Sequence, residues 1–199
     1  MLARWLGYQF LDTGIMYRAI TWLALDQGLD LGDQDVLGRL AGECVMQPKG
    51  EDGSGVVVDG RELSEELRQP EVDRAVSLVS QVPAVRDALV EQQRRIATEG
   101  RIVMVGRDIG TVVLPDAELK IYVTASVRER ARRRHMELRQ KRTPIPYQQV
   151  LEDLEARDGL DTSRSHSPLR AADDAVRLIT DGMGPGEMLE RVMGLVGRA

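Results

Sequence analysis

The sequence predicts an α/β protein whose parallel sheet is flanked by helices, and three observations support this prediction. An apolar run at 102–105 leads directly into Gly106-Arg107-Asp108, and a second run at 119–123 follows Pro115. Apolar runs of this length are typical of buried strands, and open parallel sheets place their ligands where such strands end. The segment 44–67 instead alternates short β-prone pieces with turn dipeptides, which predicts a small antiparallel insert.

Composition restricts the class of protein. The 199 residues, with 42% hydrophobic content, suffice for one core, or for one core with a small inserted module. A net charge of -5 and a pI near 5.2 argue against a general nucleic-acid binder. The single cysteine, Cys44, excludes an intramolecular disulfide, and we expect it to be a small buried apolar side chain. Aromatic residues make up only 4% of the chain, so we expect hydrogen bonding rather than stacking to recognise a base.

No apolar window is long enough to cross a bilayer, and the first residues lack the regions of a secretory leader. We therefore expect a soluble cytoplasmic protein with no membrane or nucleic-acid partner. We also expect a monomer.

Turn chemistry divides the first half of the chain into elements. Residues 2–6 are predicted to end a helix that Gly7 terminates, and residues 8–11 to form a short strand. Asp12 or Thr13 is predicted to cap the next helix. Further helices are predicted at 33–43, 70–80 and 84–97, and a hairpin turn at Asp59-Gly60.

The second half contains an unusually basic helix. Ser126 is predicted to cap it, and residues 128–142 hold eight arginines and lysines against two glutamates. This separation of charge indicates a surface that faces a polyanion, such as a triphosphate, although a solvated helix face would give the same pattern. A helix at 147–157, a strand at 175–180 and a helix at 186–196 are predicted to follow.

Arg107 and Asp108 are the first candidate site residues. A guanidinium suits a phosphate held by two parallel hydrogen bonds, and an adjacent carboxylate suits an exocyclic amine or a ribose hydroxyl. Together they indicate a nucleoside monophosphate. The alternative is a salt bridge at the strand end that only caps a turn.

Arg18 is the second candidate, and Tyr17 lies beside it in the first two turns of the same helix. An arginine near a helix N-terminus opposes the helix dipole, so an anionic ligand explains it better than helix stability does. The alternative is a solvated surface arginine.

Two further sets of polar residues have helical spacing. Ser77 and Ser80 would share a face, and their default interpretation is a pair of surface hydroxyls. Arg157, Asp161 and Arg164 would line up if their helix continued, but Gly159 weakens that continuity. The alternative for these three is an exposed ion pair.

Four stretches of the chain resemble the bacterial cytidylate kinase family in order and spacing, with Gly106–Asp116 the most specific of them. They are Leu11-Asp-Thr-Gly-Ile-Met-Tyr-Arg18, Val85-Arg86, Gly106-Arg-Asp-Ile-Gly-Thr-Val-Val-Leu-Pro-Asp116 and Arg157-Asp-Gly-Leu-Asp-Thr-Ser-Arg164. The resemblance covers nearly the whole chain. It implies the P-loop nucleoside monophosphate kinase fold, with a five-stranded parallel core flanked by helices. The implied core domain comprises 1–43, 68–125 and 171–199, with a nucleoside-monophosphate-binding insert at 44–67 and a helical lid at 126–170.

The activity implied by the resemblance is transfer of the γ-phosphoryl group of ATP, with Mg²⁺, to CMP or dCMP. It assigns catalytic roles to Arg18 and Arg107 as the clamp on the acceptor phosphate, and to Arg164 as a lid arginine. Substrate-binding residues implied in the same way are the cytosine readers Thr13, Ser77, Arg86 and Asp108, the sugar-contacting pair Arg157 and Asp161, and Tyr17. Ser80 is an alternative to Ser77.

These assignments agree with the chemistry. Phosphoryl transfer requires positioning and charge neutralisation, which suits several arginines and no protein nucleophile. The acceptor phosphate is already ionised, so no general base is needed. A carboxylate with hydroxyls and an arginine can distinguish cytosine from uracil, whose carbonyl would face the carboxylate.

The chain departs from the family at its start. The family's first strand and its Gly-x-x-x-x-Gly-Lys-Ser/Thr loop have no counterpart before Leu11, and no lysine precedes Lys49. We therefore expect these 199 residues to bind ATP poorly, catalyse little and be marginally stable, with two strands lacking ladder partners. The expected explanation is an internal methionine taken as the start, or a fragment. Leu160 also replaces a polar residue expected near the lid arginines.

Two other functions remain open at this point. One is a non-catalytic CMP-binding protein that keeps the acceptor site. The other is a kinase for a different nucleoside monophosphate.

Overall fold

The structure is a computed structural model that describes residues 1–50, 53, 55–140, 144–163 and 169–197. The chain divides into two compact units, Met1–Leu114 and Pro115–Ala199. The prediction of a core, an insert and a lid with the boundaries given above stays a prediction.

The first unit contains a parallel strand pair, a small antiparallel sheet and five helices in its described residues. Its elements are α1 (Leu2–Leu6), β1 (Gln9–Asp12), α2 (Thr13–Asp26), α3 (Gln34–Glu43), β2 (Met46–Lys49), β3 (Gly55–Val58), β4 (Arg61–Leu63), α4 (Pro70–Val79), α5 (Pro83–Ala97) and β5 (Ile102–Val105). A 3-10 turn at Glu66–Arg68 precedes α4, and a π-helical segment at Ile109–Val113 follows β5. Strands β1 and β5 are parallel, with Gln9 opposite Ile102 and Asp12 opposite Val105.

Local capping chemistry sets the start of this unit as the sequence predicts. Gly7 ends α1 at a φ of 66°, the left-handed conformation that glycine adopts without a steric penalty. Asp12 caps α2 because its carboxylate accepts a hydrogen bond from the backbone N–H of Gly14 at 2.9 Å. The end of β1 is thereby joined directly to the first turn of α2.

The antiparallel sheet has the order β2-β3-β4 and lies in the segment where an insert is predicted. Its second hairpin turns at Asp59 and Gly60, whose φ angles are 49° and 85°. Two consecutive positive φ values match the twist of the flanking strands, and Asp-Gly is a preferred pair for such a turn. The predicted hairpin turn is confirmed.

The main hydrophobic core belongs to the first unit, with α2 contributing the largest share of its buried side chains. Helices α3 and α5 approach so closely that a Cβ at Gly38 would lie 2.6 Å from the Cβ of Ala84. Buried Gln92 of α5 donates to the carbonyl of Cys44 at 2.9 Å and accepts from the backbone N–H of Met46 at 3.0 Å. Helix α5 is therefore fixed both to α3 and to the start of the antiparallel sheet.

The second unit contains the parallel strands β6 (Ile121–Thr124) and β7 (Val176–Ile179), with helices α6 (Val127–Gln140), α7 (Tyr147–Ser163) and α8 (Pro185–Val196). Ser126 caps α6 through a hydrogen bond that its Oγ accepts from the N–H of Glu129 at 3.2 Å, as predicted. Few of its apolar side chains are buried, and Val123 and Ile179 are 51% and 64% exposed.

Two expectations differ from the structure. Helix α7 was predicted to end at 157 but continues to Ser163, because a glycine such as Gly159 costs a helix only about 1 kcal/mol and does not break it. The predicted α/β fold with parallel strands flanked by helices is confirmed, but among the described residues these strands form two separate pairs, β1-β5 and β6-β7, and not one five-stranded core. Strands β5 and β6 thus each have one partner in this part of the chain. The predicted residues 141 and 142 of the basic helix lie outside the described residues.

None of the helices in the described residues is long and apolar enough to cross a membrane.

The close approach of α3 and α5 predicts opposite effects for two glycine substitutions on the same helix. Gly38→Ala should lower the free energy of unfolding by about 1–2 kcal/mol, because the new Cβ forces the helices apart. The control Gly42→Ala meets no atom within 4 Å and should raise it by up to about 1 kcal/mol through helix propensity. Urea denaturation measures both, and equal effects would contradict the packing argument.

The buried position of Cys44 predicts a pH dependence of stability. Cys44 is only 6% exposed, and burial beside Asp59 raises the pKa of its thiol from 9.0 to about 11. The unfolded thiol ionises first, so its contribution to stability is complete below about pH 9 and is lost as the pH rises toward 11. Cys44→Ala should remove this part of the alkaline decline in the free energy of unfolding. An identical decline in both proteins would contradict the assignment.

Candidate functional site

The loop that follows β5 is the centre of the candidate site. Gly106-Arg107-Asp108 leads into the π-helical segment 109–113, in which the N–H of Leu114 donates to the carbonyl of Ile109 at 2.7 Å. The carbonyl of Asp108 accepts from the N–H of Val112 at 2.9 Å and from those of Thr111 and Val113 at 3.3 Å. π-Helical turns are rare in proteins as a whole, and those that do occur are often found at functional sites. Here the turn fixes the backbone of Asp108.

Thr13 contacts the start of this loop. Its Oγ1 donates to the carbonyl of Val105 at 3.0 Å, which places the first residue of α2 against the end of β5. A Cβ at Gly106 would lie 2.3 Å from Oγ1 of Thr13. The backbone can therefore approach Thr13 this closely only because position 106 is glycine. The predicted proximity of Thr13 and the loop is therefore present.

Arg86 and Asp108 form a buried ion pair. Nη2 of Arg86 donates to Oδ2 of Asp108, and their side chains are only 3% and 6% exposed. Nη1 of Arg86 donates to the carbonyl of Ser80 at 3.1 Å, and the guanidinium lies 5.4 Å from the ring centre of Tyr17. Nε of Arg86 is buried and has no hydrogen-bond partner among the described residues. The structure thus brings together three of the predicted substrate-binding residues.

This pair has the polarity that recognition of a heterocyclic base requires. Asp108 carries a carboxylate acceptor and Arg86 keeps a buried donor, both in a water-poor environment where hydrogen bonds are strong. A ligand that offered an amine beside an acceptor would match both groups. Asp108 does form a salt bridge at the strand end, but with a helix residue 22 positions earlier and not within its own turn; a base-reading role for the pair stays a prediction.

Arg18 pairs with groups that the sequence does not reveal. Its Nη1 donates to the carbonyl of Leu67 at 2.9 Å and contacts Oδ1 of Asp73 at 2.6 Å. Asp73 lies 55 positions further along the chain, on α4, and has no motif that would identify it. Arg18 is thus held by α4 and the preceding turn instead of being solvated.

The remaining predicted site residues of the first unit are Arg107, Ser77 and the alternative Ser80. Arg107 is partly exposed and directly precedes the buried Asp108. Ser77 lies on α4, where its carbonyl accepts a hydrogen bond from Oγ of Ser80 at 3.1 Å. Ser80 contacts Arg86 of the ion pair through its backbone carbonyl, which accepts a hydrogen bond from the guanidinium. A base-reading role for the Ser77 hydroxyl stays a prediction.

The remaining predicted residues belong to the second unit. Arg157 and Asp161 lie one turn apart on α7, with Arg157 exposed and Asp161 buried. Arg164 lies outside the described residues. Leu160 is 45% exposed on the same helix. The sugar-binding and lid roles of these residues stay predictions.

The basic helix α6 uses several arginines for internal contacts. Arg130 forms two parallel hydrogen bonds with Asp158 of α7, at 3.0 and 2.6 Å. Hydrogen bonds from Arg132 and Arg133 lower the pKa of Glu129 to about 2. Arg133 also donates to Oγ1 of Thr180 at 3.2 Å. These pairs hold α6 within its unit, and a role for the helix in binding a polyanion stays a prediction.

The buried pair predicts a large cost for removing one of its members. Asp108→Ala should lower the free energy of unfolding by about 3–5 kcal/mol, because it leaves the Arg86 charge buried without compensation. The double substitution Arg86→Met/Asp108→Leu should recover most of that loss, since no charge is then buried. The matched control is Glu91→Ala, which breaks the exposed pair with Arg95 and should cost at most about 1 kcal/mol. Equal losses for Asp108→Ala and Glu91→Ala in urea denaturation would show that the pair is not buried in solution.

Comparison with known proteins identifies the family. The family model described as cytidylate kinase matches residues 1–198. The cytidylate kinase of Caldanaerobacter subterraneus subsp. tengcongensis is 46% identical over 191 residues, which is 96% of this chain and 84% of that protein. The cytidylate kinase of Carboxydothermus hydrogenoformans is 43% identical over 199 residues, or 100% and 90% of the two chains. The bifunctional pantoate ligase/cytidylate kinase of Trichodesmium erythraeum is 42% identical over 96% of this chain and 36% of its own length. The chain therefore belongs to the cytidylate kinase family.

Proposed function

We propose that this protein is an ATP-dependent (d)CMP kinase, which transfers the γ-phosphoryl group of ATP to CMP or dCMP and yields CDP or dCDP. Membership of the family supports the reaction class. The observation that carries the choice of acceptor is the buried pair of Arg86 and Asp108 beside Tyr17. Its chemistry suits cytosine better than the other bases.

Cytosine presents an amine donor next to a ring nitrogen and a carbonyl that both accept hydrogen bonds. The amine donates to the carboxylate of Asp108, and the acceptors take hydrogen bonds from Arg86, whose buried Nε has no partner among the described residues. Thr13 and Ser77 supply hydroxyls to the same base. Uracil carries a carbonyl in place of the amine and would leave the carboxylate facing an acceptor, which costs affinity.

The acceptor phosphate is held by Arg18 and Arg107. Both guanidiniums neutralise charge on the phosphate oxygens and hold the attacking oxygen in place, which is most of what phosphoryl transfer asks of a protein. Arg18 already has an anionic partner in Asp73, so the CMP phosphate shares or replaces that contact. Arg164 contributes a further charge from the lid, and Arg157 with Asp161 binds the sugar.

The donor is ATP, and Mg²⁺ would enter with it as part of the substrate and supply neutralisation of the phosphate charge. The described residues contain no group of three or more His, Cys, Asp or Glu side chains that could hold a metal ion by themselves.

The cellular setting follows from the substrates. The protein works in the cytoplasm on small molecules, as a monomer, with no nucleic-acid or membrane partner. Its net charge of -5 is consistent with the absence of a nucleic-acid partner. Core, insert and lid follow the boundaries predicted from the sequence.

Calorimetric titration with CMP, UMP and AMP tests the acceptor. We expect CMP to bind at least about tenfold more tightly than UMP or AMP, since each competitor leaves buried polar groups unpaired. Asp108→Asn should reduce this preference, and the control Asp116→Asn, an exposed position in the same motif, should keep it. A wild-type protein without CMP preference would reject the proposed acceptor. Turnover in a coupled ATP assay, once the family's glycine-rich loop is supplied ahead of Met1, would select the kinase, and CMP binding without turnover in that longer protein would favour a non-catalytic CMP-binding protein.

The phosphate clamp has its own test, because cytidine lacks the phosphate of CMP. Arg107→Ala should weaken CMP binding by about tenfold to a hundredfold, the loss expected for a charge-assisted contact, and leave cytidine binding unchanged. Equal weakening of both ligands would place Arg107 at the base or in the scaffold instead. Unchanged CMP affinity would remove Arg107 from the site.

A further inference from the structure

We propose that Arg94 of α5 is a positioning residue for the Arg107-Asp108 loop and controls the preference for cytosine without touching the nucleotide. The inference rests on the proposed function, since it concerns the residue assigned to read the base. Arg94 belongs to none of the motifs that resemble the family.

Arg94 braces the end of the π-helical segment. Its Nε donates to the carbonyl of Val113 at 3.0 Å, and its Nη2 donates to the carbonyl of Val112 at 2.6 Å. Carbonyls at the end of a helical turn have no partner within the turn. One planar guanidinium therefore satisfies two successive carbonyls, a geometry that a lysine ammonium cannot reproduce.

Val112 and Val113, whose carbonyls bind Arg94, also bind Asp108 through their N–H groups. The N–H groups of Val112 and Val113 donate to the carbonyl of Asp108 at 2.9 and 3.3 Å. Each valine is therefore bonded to Arg94 on one side and to Asp108 on the other. A single residue thus separates the guanidinium of Arg94 from the backbone of the proposed base reader.

Helix α5 holds the loop at two points. Arg86 binds the carboxylate of Asp108, and Arg94, eight residues later and about 12 Å further along the helix axis, binds the segment that carries its carbonyl. Both the side chain and the backbone of Asp108 are thus positioned by helix α5. Without Arg94, the carbonyls of Val112 and Val113 would lose this partner, and the loop backbone that carries Asp108 could relax more easily from its uncommon π geometry.

A matched pair of substitutions on adjacent residues tests the role. Arg94→Ala should lower the ratio of CMP to UMP affinity in calorimetric titration by about threefold to tenfold, because the base is held less well. Arg95→Ala is the control, since the Arg95 side chain donates to the exposed Glu91 at 2.9 Å and lies next to Arg94 in the chain, and it should leave this ratio unchanged. Arg94→Lys should recover part of the ratio, because it keeps the charge and one hydrogen bond.

Amide hydrogen exchange supplies a readout that does not depend on nucleotide binding. In Arg94→Ala the amides of Val112 and Val113 should exchange faster, and in Arg95→Ala they should not. A reduced stability with an unchanged CMP to UMP ratio would make Arg94 a purely structural residue and overturn the proposal. If Arg94→Ala does not fold, an unchanged ratio in Arg94→Lys overturns it equally. Wild-type protein with no CMP preference would reject the proposed function itself, and the role of Arg94 in specificity with it.

Discussion

The buried contact between the Arg86 guanidinium and the Asp108 carboxylate is the interaction on which the candidate site depends. Two charges with 3% and 6% exposure are costly to bury, and their attraction offsets that cost only while the geometry is maintained. Neighbouring elements supply that geometry: α5 carries the arginine, the π-helical segment fixes the aspartate, and the end of α4 provides the carbonyl of Ser80. The ring of Tyr17 lies beside the guanidinium and joins α2 to the same cluster.

The requirement for this pair explains several features that otherwise look unrelated. Gly106 lets the loop pass close to Thr13 and to the side chain of Ile109, the first residue of the π-helical segment. Arg94 holds the far end of that segment. Buried Gln92, on the same helix as Arg86, ties α5 to the end of α3 and the start of β2. The residues that we propose to read the base are thus positioned by helix α5 and not by the loop alone, which is the arrangement that keeps a site close to one geometry.

Elements fixed by local chemistry were predictable from the sequence. Gly7, the Asp12 cap and the Asp59-Gly60 turn each depend on neighbouring residues only, and each has the conformation that its residue type favours. The continuation of α7 past Gly159 was not predictable, because a glycine weakens a helix by an amount that other contacts can outweigh.

Some of the site residues could be identified from the sequence and others could not. Those within motifs, such as Arg107 and Asp108, were identified because unusual residue types stand together at a strand end. Asp73 and Arg94 were missed because their partners are distant side chains or backbone carbonyls, which leave no pattern in the sequence.

The energetics of the pair argue that it serves recognition more than stability. Apolar side chains of similar size would fill the same volume without the cost of burying charge, so a buried ion pair is a poor choice for a core that needs only to be stable. The Nε of Arg86, which has no hydrogen-bond partner within the described part of the chain, adds to that cost. A bound base with an acceptor facing this nitrogen and a donor facing Asp108 would remove the penalty, and the energy regained would appear as affinity. A ligand with the opposite polarity would leave the penalty in place. The same buried nitrogen that lowers the stability of the protein would therefore favour one base over another.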